Sequence, residues 1–200
     1  MKKLVLSAVA VLATTAVAQA TTVFSDDFES NDLGLSTPVN GWTVASGSVD
    51  VIGTDYFQWY GAGRYLDMNG STGTPGRIER VISGLTAGVE YLLSFDVGFN
   101  NYSGNSETLS YGIDGLLGSV DVATSGATAS TFAHYVLSFV ATGSSATLFF
   151  ADTGATPGDN GGPVLDNVSV DVSPVPVPAA GVMLLAGLGG LAGLRRRKTA

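Results

Sequence analysis

Residues 89–99 read Val-Glu-Tyr-Leu-Leu-Ser-Phe-Asp-Val-Gly-Phe. Val89, Tyr91, Leu93, Phe95, Val97 and Phe99 alternate with Glu90, Leu92, Ser94, Asp96 and Gly98, and only Leu92 breaks the pattern. Successive side chains of a strand point to opposite faces, whereas helical apolar positions recur every three to four residues, so this stretch is a half-buried β-strand. The same period returns at Leu109, Tyr111 and Ile113, at Tyr135, Leu137 and Phe139, and at Val164, Val168, Val170 and Val172. Thr22–Phe24, Arg64–Asn69 and Arg77–Ile82 read as shorter strands. Trp42–Ala45 and Ser48–Ile52 flank Ser46-Gly47, a two-residue turn of the kind that closes a hairpin. No segment between residues 21 and 173 shows a helical period. Eight to ten short strands with Gly-rich turns predict an all-β domain, an antiparallel β-sandwich of jelly-roll type.

The two ends carry a different signal. Lys2 and Lys3 precede an apolar run from Leu4 to Val17, and Ala18-Gln19-Ala20 supplies small-x-small cleavage chemistry, so residues 1–20 read as a secretory signal peptide that is removed. Val177 to Leu194 contains no charged side chain; as a helix rising about 1.5 Å per residue it reaches roughly 27 Å, close to a bilayer core. Arg195, Arg196, Arg197 and Lys198 follow at once, and positive charge stays on the cytoplasmic side, which puts everything before the transmembrane helix outside. Pro176 and Pro178 cannot extend that helix backwards and form an extended, protease-accessible hinge. The chain thus divides into a signal peptide (1–20), an extracytoplasmic β-domain (21–173) and a C-terminal segment (174–200) with helix 177–194 and basic tail 195–198.

All 17 acidic residues fall in the β-domain against three basic ones, Arg64, Arg77 and Arg80, a formal charge of −14. Nucleic acid and anionic membrane surfaces are poor partners for such a body. The absence of cysteine excludes a thiol nucleophile, a thiolate metal site and disulfides, and one histidine, His134, is too little for a transition-metal centre.

Val175-Pro176-Val177-Pro178-Ala179, followed by an apolar Gly-rich span and the Arg cluster, resembles the VPxPA version of the PEP-CTERM sorting signal. The resemblance implies cutting by exosortase, a membrane transpeptidase of Gram-negative bacteria. On this reading the protein is anchored in the inner membrane by its C-terminal helix, then passed to the cell surface or extracellular matrix. An uncut tail anchor is the alternative. A second resemblance rests on Asp27-Phe28-Glu29, Gly41-Trp42-Thr43-Val44, Gly47-Ser48-Val49-Asp50-Val51-Ile52-Gly53, Leu66-Asp67-Met68-Asn69-Gly70 and Gly162-Pro163-Val164-Leu165-Asp166-Asn167-Val168. These look like the choice-of-anchor C family, which is similar to a cell-wall domain family of plants and to galactose-binding-like carbohydrate modules. What it implies is the fold and an extracellular setting.

Tyr56, Phe57, Trp59 and Tyr60 lie in a Gly-bounded loop, with Arg64 beside it. Their rings either stack on sugar or plug one end of the sandwich; Tyr56, Trp59, Tyr60 and Arg64 are the candidate ligand-binding residues. Asp166 shares its parity with Val164, Val168, Val170 and Val172, so the alternation points a carboxylate toward the core. Such a group needs donors or a cation. Calcium, which takes hard oxygen ligands, is one solution, with Asp26, Asp27 and Glu29 beside the last strand if the chain ends pair; capping of a backbone turn is the other. The resemblance to sugar modules implies a structural calcium between Phe28-Glu29 and Asp166. No GxSxG or HExxH pattern accompanies His134, and no catalytic residue is assigned. The sequence therefore points to a non-enzymatic carbohydrate- or matrix-binding module, with polysaccharide as partner; a structural or adhesive envelope protein and a glycan hydrolase are the alternatives.

Overall fold

The computed structural model describes residues 21–54, 56, 60–61, 63–100, 107–125, 127–128, 131–154, 160–174 and 187. The expected signal peptide, the sorting motif Val175–Ala179, the basic tail with Arg195, Arg196 and Arg197, the membrane helix apart from Gly187, and Trp59 lie outside the described residues. Among the described residues no helix is long and apolar enough to cross a membrane.

Eleven strands are described: β1 (Thr22–Asp26), β2 (Thr43–Ser46), β3 (Asp50–Gly53), β4 (Arg64–Asp67), β5 (Arg77–Ser83), β6 (Glu90–Gly98), β7 (Thr108–Ile113), β8 (Leu116–Asp121), β9 (Ala133–Val140), β10 (Ser145–Asp152) and β11 (Val164–Val172). They form two antiparallel sheets. The first runs β3-β4-β11-β6-β9, and β1 pairs with the far half of β11; the second runs β2-β5-β10-β7-β8. The ends of the chain do pair, Ser25 with Ser169 and Asp26 with Val168.

The alternation that identified β6 is what joins the sheets. Tyr91, Leu93, Phe95 and Val97 are buried on its inner face, while Leu165, Val168 and Val170 of β11 add to the same layer. From the second sheet come Ile78, Leu109, Tyr111, Leu148 and Phe150. Phe95 sits at the centre, its ring 5.1 Å from Phe150, 5.2 Å from Tyr111 and 5.6 Å from Tyr135. Full burial of a Phe side chain contributes about 1.5–3 kcal/mol before any aromatic geometry is added. Asp114 and Gly115, at φ 45° and 88°, make the tight hairpin between β7 and β8, since a two-residue turn with both φ values positive matches strand twist.

Three expectations are corrected. The Ser46-Gly47 turn does not close a hairpin: β2 pairs with β5 in one sheet and β3 with β4 in the other, so the chain crosses between sheets there. Gly47, at φ 62°, packs so closely on the Pro75 carbonyl that a Cβ would overlap it, and the Ser48 N–H donates to the Thr74 carbonyl at 3.2 Å. Strands β8 and β10 exceed the expected set, and β10 is central to its sheet. Asp166 does not share the inward face with Val168 and Val170. Its cross-strand partner is Asp96, Ser169 pairs with Ser94, and the extra residue between is a β-bulge. Asn167 takes φ 49° there, a left-handed conformation that Asn tolerates better than most side chains. The parity of β11 therefore flips, and Val164 and Asp166 face outward from the first sheet.

Candidate functional site

The outer face of the first sheet gathers most of the chain's candidate residues. The turn after β1 places Glu29. Phe28 sits at φ 55°, a strained state for an aromatic residue, and its ring is fully buried. The turn is held by the Phe28 N–H donating to Asp26 Oδ1 at 2.9 Å and the Glu29 N–H to Asp27 Oδ1 at 3.2 Å. Glu29 then reaches β4, accepting the Arg64 N–H at 2.7 Å. The Arg64 guanidinium donates to the carbonyls of Glu29, at 2.9 Å, and Asn31. Arg64 thus ties the turn to the sheet.

Beside it the bulge presents a row of polar groups across three strands. Asn167 donates from Nδ2 to Asp96 Oδ2 at 2.8 Å, and its own N–H donates to Asp166 Oδ1 at 2.7 Å. His134 Nδ1 lies 2.6 Å from Asp96 Oδ1 on an exposed edge. Burial pushes the Asp166 carboxyl up to about 7 against the lowering pull of the Asn167 N–H, and the charges of Asp96, Glu29 and Asp27 add smaller upward pushes. A groove of about 310 Å³ opens over the bulge, lined by Ser25, Asp26, Asp27, Asn167, Val168 and Ser169. The donor chemistry is hard oxygen, which suits calcium. Among the described residues, however, no three His, Cys, Asp or Glu side chains stand close enough together to hold a metal ion.

Tyr60 lies on the same outer face and not at an end of the sandwich. It is buried with Ile52, Tyr65 and Val164 in a second cluster, against which Tyr56 and Phe132 pack. Its ring stacks on Phe132 at 4.1 Å and meets Tyr65 edge-on at 5.4 Å. Its hydroxyl donates to the Phe99 carbonyl at 2.7 Å, and burial raises its pKa. The ring faces of Tyr60 are therefore occupied by protein, while Tyr56 is half-buried at the cluster's margin.

A third grouping escaped the sequence reading. Asp50 and Asp67 are cross-strand neighbours on β3 and β4 and both are buried. Asp67 accepts the N–H groups of Asn69 at 3.0 Å and Gly162 at 2.9 Å, and Asn100 Nδ2 at 2.8 Å. Asp50 accepts the Ser36 and Ser71 N–H groups at 2.6 and 3.0 Å. Burial holds Asp67 well above the usual carboxylate range despite these donors. Both act as ties between loops. Their outward parity opposite Val51 and Leu66 was visible in sequence, but nothing local announced that loops would cover them.

A family model described as "Protein of unknown function (DUF642)" matches residues 23–171, nearly the whole sandwich. The chain belongs to the DUF642 family. It is 30% identical over 159 residues to halomucin of Haloquadratum walsbyi, a match that covers 78% of this chain and 2% of that protein's length. Among solved structures it is similar to the CBM22-1 xylan-binding domain of Paenibacillus barcinonensis Xyn10C. The TM-score is 0.50 at 18% identity, over 80% of this chain and 99% of that one. It is also similar to the Stig cyclase Fisc of Fischerella sp. TAU, with a TM-score of 0.50 at 14% identity, over 78% and 100% of the two chains. These likenesses establish the shared sandwich; that it serves both a xylan-binding domain and a cyclase means function has to be argued from the site.

Proposed function

We propose that this DUF642 domain is a non-catalytic carbohydrate- or matrix-binding module of an exported protein. The observation that carries the reading is the fold it shares with a xylan-binding domain along almost that domain's entire length. Export and sorting rest on the sequence: a signal peptide at 1–20, and a C-terminal signal in which Val175–Ala179 is the cutting site for an exosortase-type enzyme. The likeness to a stretch of halomucin, a protein named as a mucin, supports a surface setting. The candidate contacts are Tyr56, at the margin of the outer-face cluster, together with Trp59 and Arg64. Tyr60, enclosed between Phe132 and Tyr65, supports them from behind. Calcium bound by Glu29 and Asp166 would supply the positive charge that the acidic row lacks, locking the turn after β1 onto β11.

The test is retention of the full chain on immobilised xylan, cellulose, pectin and mannan, with and without calcium. Retardation on at least one is expected, and passage through all of them unretarded overturns the reading. Enclosure of Tyr60 and burial of Tyr65 favour a second reading, a structural or adhesive envelope protein, because a sugar-stacking surface on the outer face needs exposed rings there.

A further inference from the structure

A cleft of about 380 Å³ lies beside β2, between the loop that begins at Ser36 and the crossover at Gly47–Val49. We infer that it is the seat of one uncharged pyranose unit of a glycan; this rests on the carbohydrate-binding reading and gives it a location away from the outer face. Its size falls at the lower end of small-ligand pockets. The chemistry of the lining is that of a sugar ring. Pro38, Val44 and the small accessible part of Trp42 supply apolar surface over the buried Val49, and Ser36 and Thr37 bring hydroxyls. A pyranose likewise presents a face of C–H groups and a rim of hydroxyls, and rings of this kind pack on aromatic and aliphatic surfaces while their edges hydrogen-bond.

Two features fix the cleft before any ligand arrives. Trp42 is wedged against Phe24, Phe28 and Phe150, with ring centroids 6.0 to 6.2 Å away, and its Nε1–H donates to Asp26 Oδ2 at 2.9 Å. The indole therefore offers the cleft an apolar surface whose polar atom is already satisfied. The rim is held by Ser36 in a left-handed conformation, φ 47°, uncommon for a residue with a side chain. Asp50 fixes it there, accepting the Ser36 N–H at 2.6 Å and, through its other oxygen, the Ser71 hydroxyl at 2.7 Å. Strain maintained by hydrogen bonds to a buried carboxylate at the mouth of a cavity is the pattern of a pre-organised binding site, in which little ordering remains to oppose association.

Charge decides the class of sugar. None of the residues lining this cleft is charged, whereas the groove over the bulge carries Asp26 and Asp27. A neutral ring enters the cleft without stripping water from a carboxylate. A uronate would bring a negative charge to a body with 17 acidic residues and three Arg, and would find no cation in the lining.

The experiment is an NMR titration of the full chain that follows the Trp42 indole N–H, assigned with Trp59→Phe. Methyl β-D-xyloside, glucoside, galactoside and mannoside are the probes, and methyl β-D-glucuronide is the charged control. At least one neutral glycoside should shift the Trp42 resonance and the glucuronide should not. Thr37→Val keeps the shape and removes one hydroxyl, and it should weaken binding roughly two- to tenfold; Val44→Phe fills the cleft and should abolish it. The same variants are run on the polysaccharide that retains the wild type. Retention unchanged in both variants, or binding that leaves Trp42 unmoved, overturns the cleft and leaves the carbohydrate reading intact. A protein that binds no glycoside and no polysaccharide overturns both.

Discussion

Replacing Asp166 by Asn removes a charge from the point where β6, β11 and the turn after β1 converge. In the folded protein this carboxyl is held at about 7 against an ordinary value of 3.8, because it is partly buried and feels Asp96, Glu29 and Asp27. Below about pH 4 both folded and unfolded chains hold the proton. Between about 4 and 7 the unfolded chain releases it and the folded one does not, so this residue's contribution to stability falls as pH rises through that window, then stays flat. At 1.36 kcal/mol per pH unit the ceiling is about 4 kcal/mol; the groove is open to water, and screening reduces the working figure to about 2 kcal/mol. Asn keeps an oxygen for the Asn167 N–H and carries no charge. In the presence of EDTA, Asp166→Asn should match the wild type at pH 4 and exceed it by about 2 kcal/mol at pH 8. In a chain of this size that is about 4–8 °C in Tm. Urea and thermal unfolding at matched ionic strength measure both. Adding calcium at pH 8 should raise the wild type and leave the variant unmoved. A variant no more stable than wild type at pH 8 in EDTA would refute the assignment of a desolvated, repelled carboxylate, and equal responses to calcium would refute its role as ligand.

Phe95→Ala empties the centre of the aromatic contact between the sheets and should cost about 3–5 kcal/mol, read as a drop in urea midpoint with unchanged slope. Asn167→Gly and Asn167→Val both lose the side-chain contact to Asp96, but Gly takes the left-handed bulge without strain and should be nearly neutral, whereas Val forced there should lose about 1–2 kcal/mol, read from urea midpoints. Intact-mass analysis of protein extracted from the cell surface should find neither residues 1–20 nor Arg195–Lys198; retention of the Arg cluster would mean a plain tail anchor.

Much of the sandwich was legible because its inner layer is periodic. β6, β7 and β9 each place an apolar side chain at every second position, and that period survives whatever the strands pair with. The aromatic loop and the acidic first turn were also visible as candidate sites, since both are concentrations of one chemistry. β10 was hidden because Phe149 faces outward beside the inward Leu148 and Phe150, which breaks the alternation. Only the fold explains an apolar side chain there: the ring lies over Gly112, with the Arg77 guanidinium 3.7 Å from its centroid. Ser46-Gly47 has the chemistry of a hairpin turn, yet a turn specifies local bending and not the strands that flank it, and here β5 and β4 claim them for opposite sheets. Asp166 makes the same point most sharply. The sequence by itself determined that a carboxylate sits in a valine-rich last strand and that acids cluster near the first. Which face that carboxylate takes was decided by a single extra residue at Asn167, because side-chain direction has period two and one inserted residue reverses it for everything that follows.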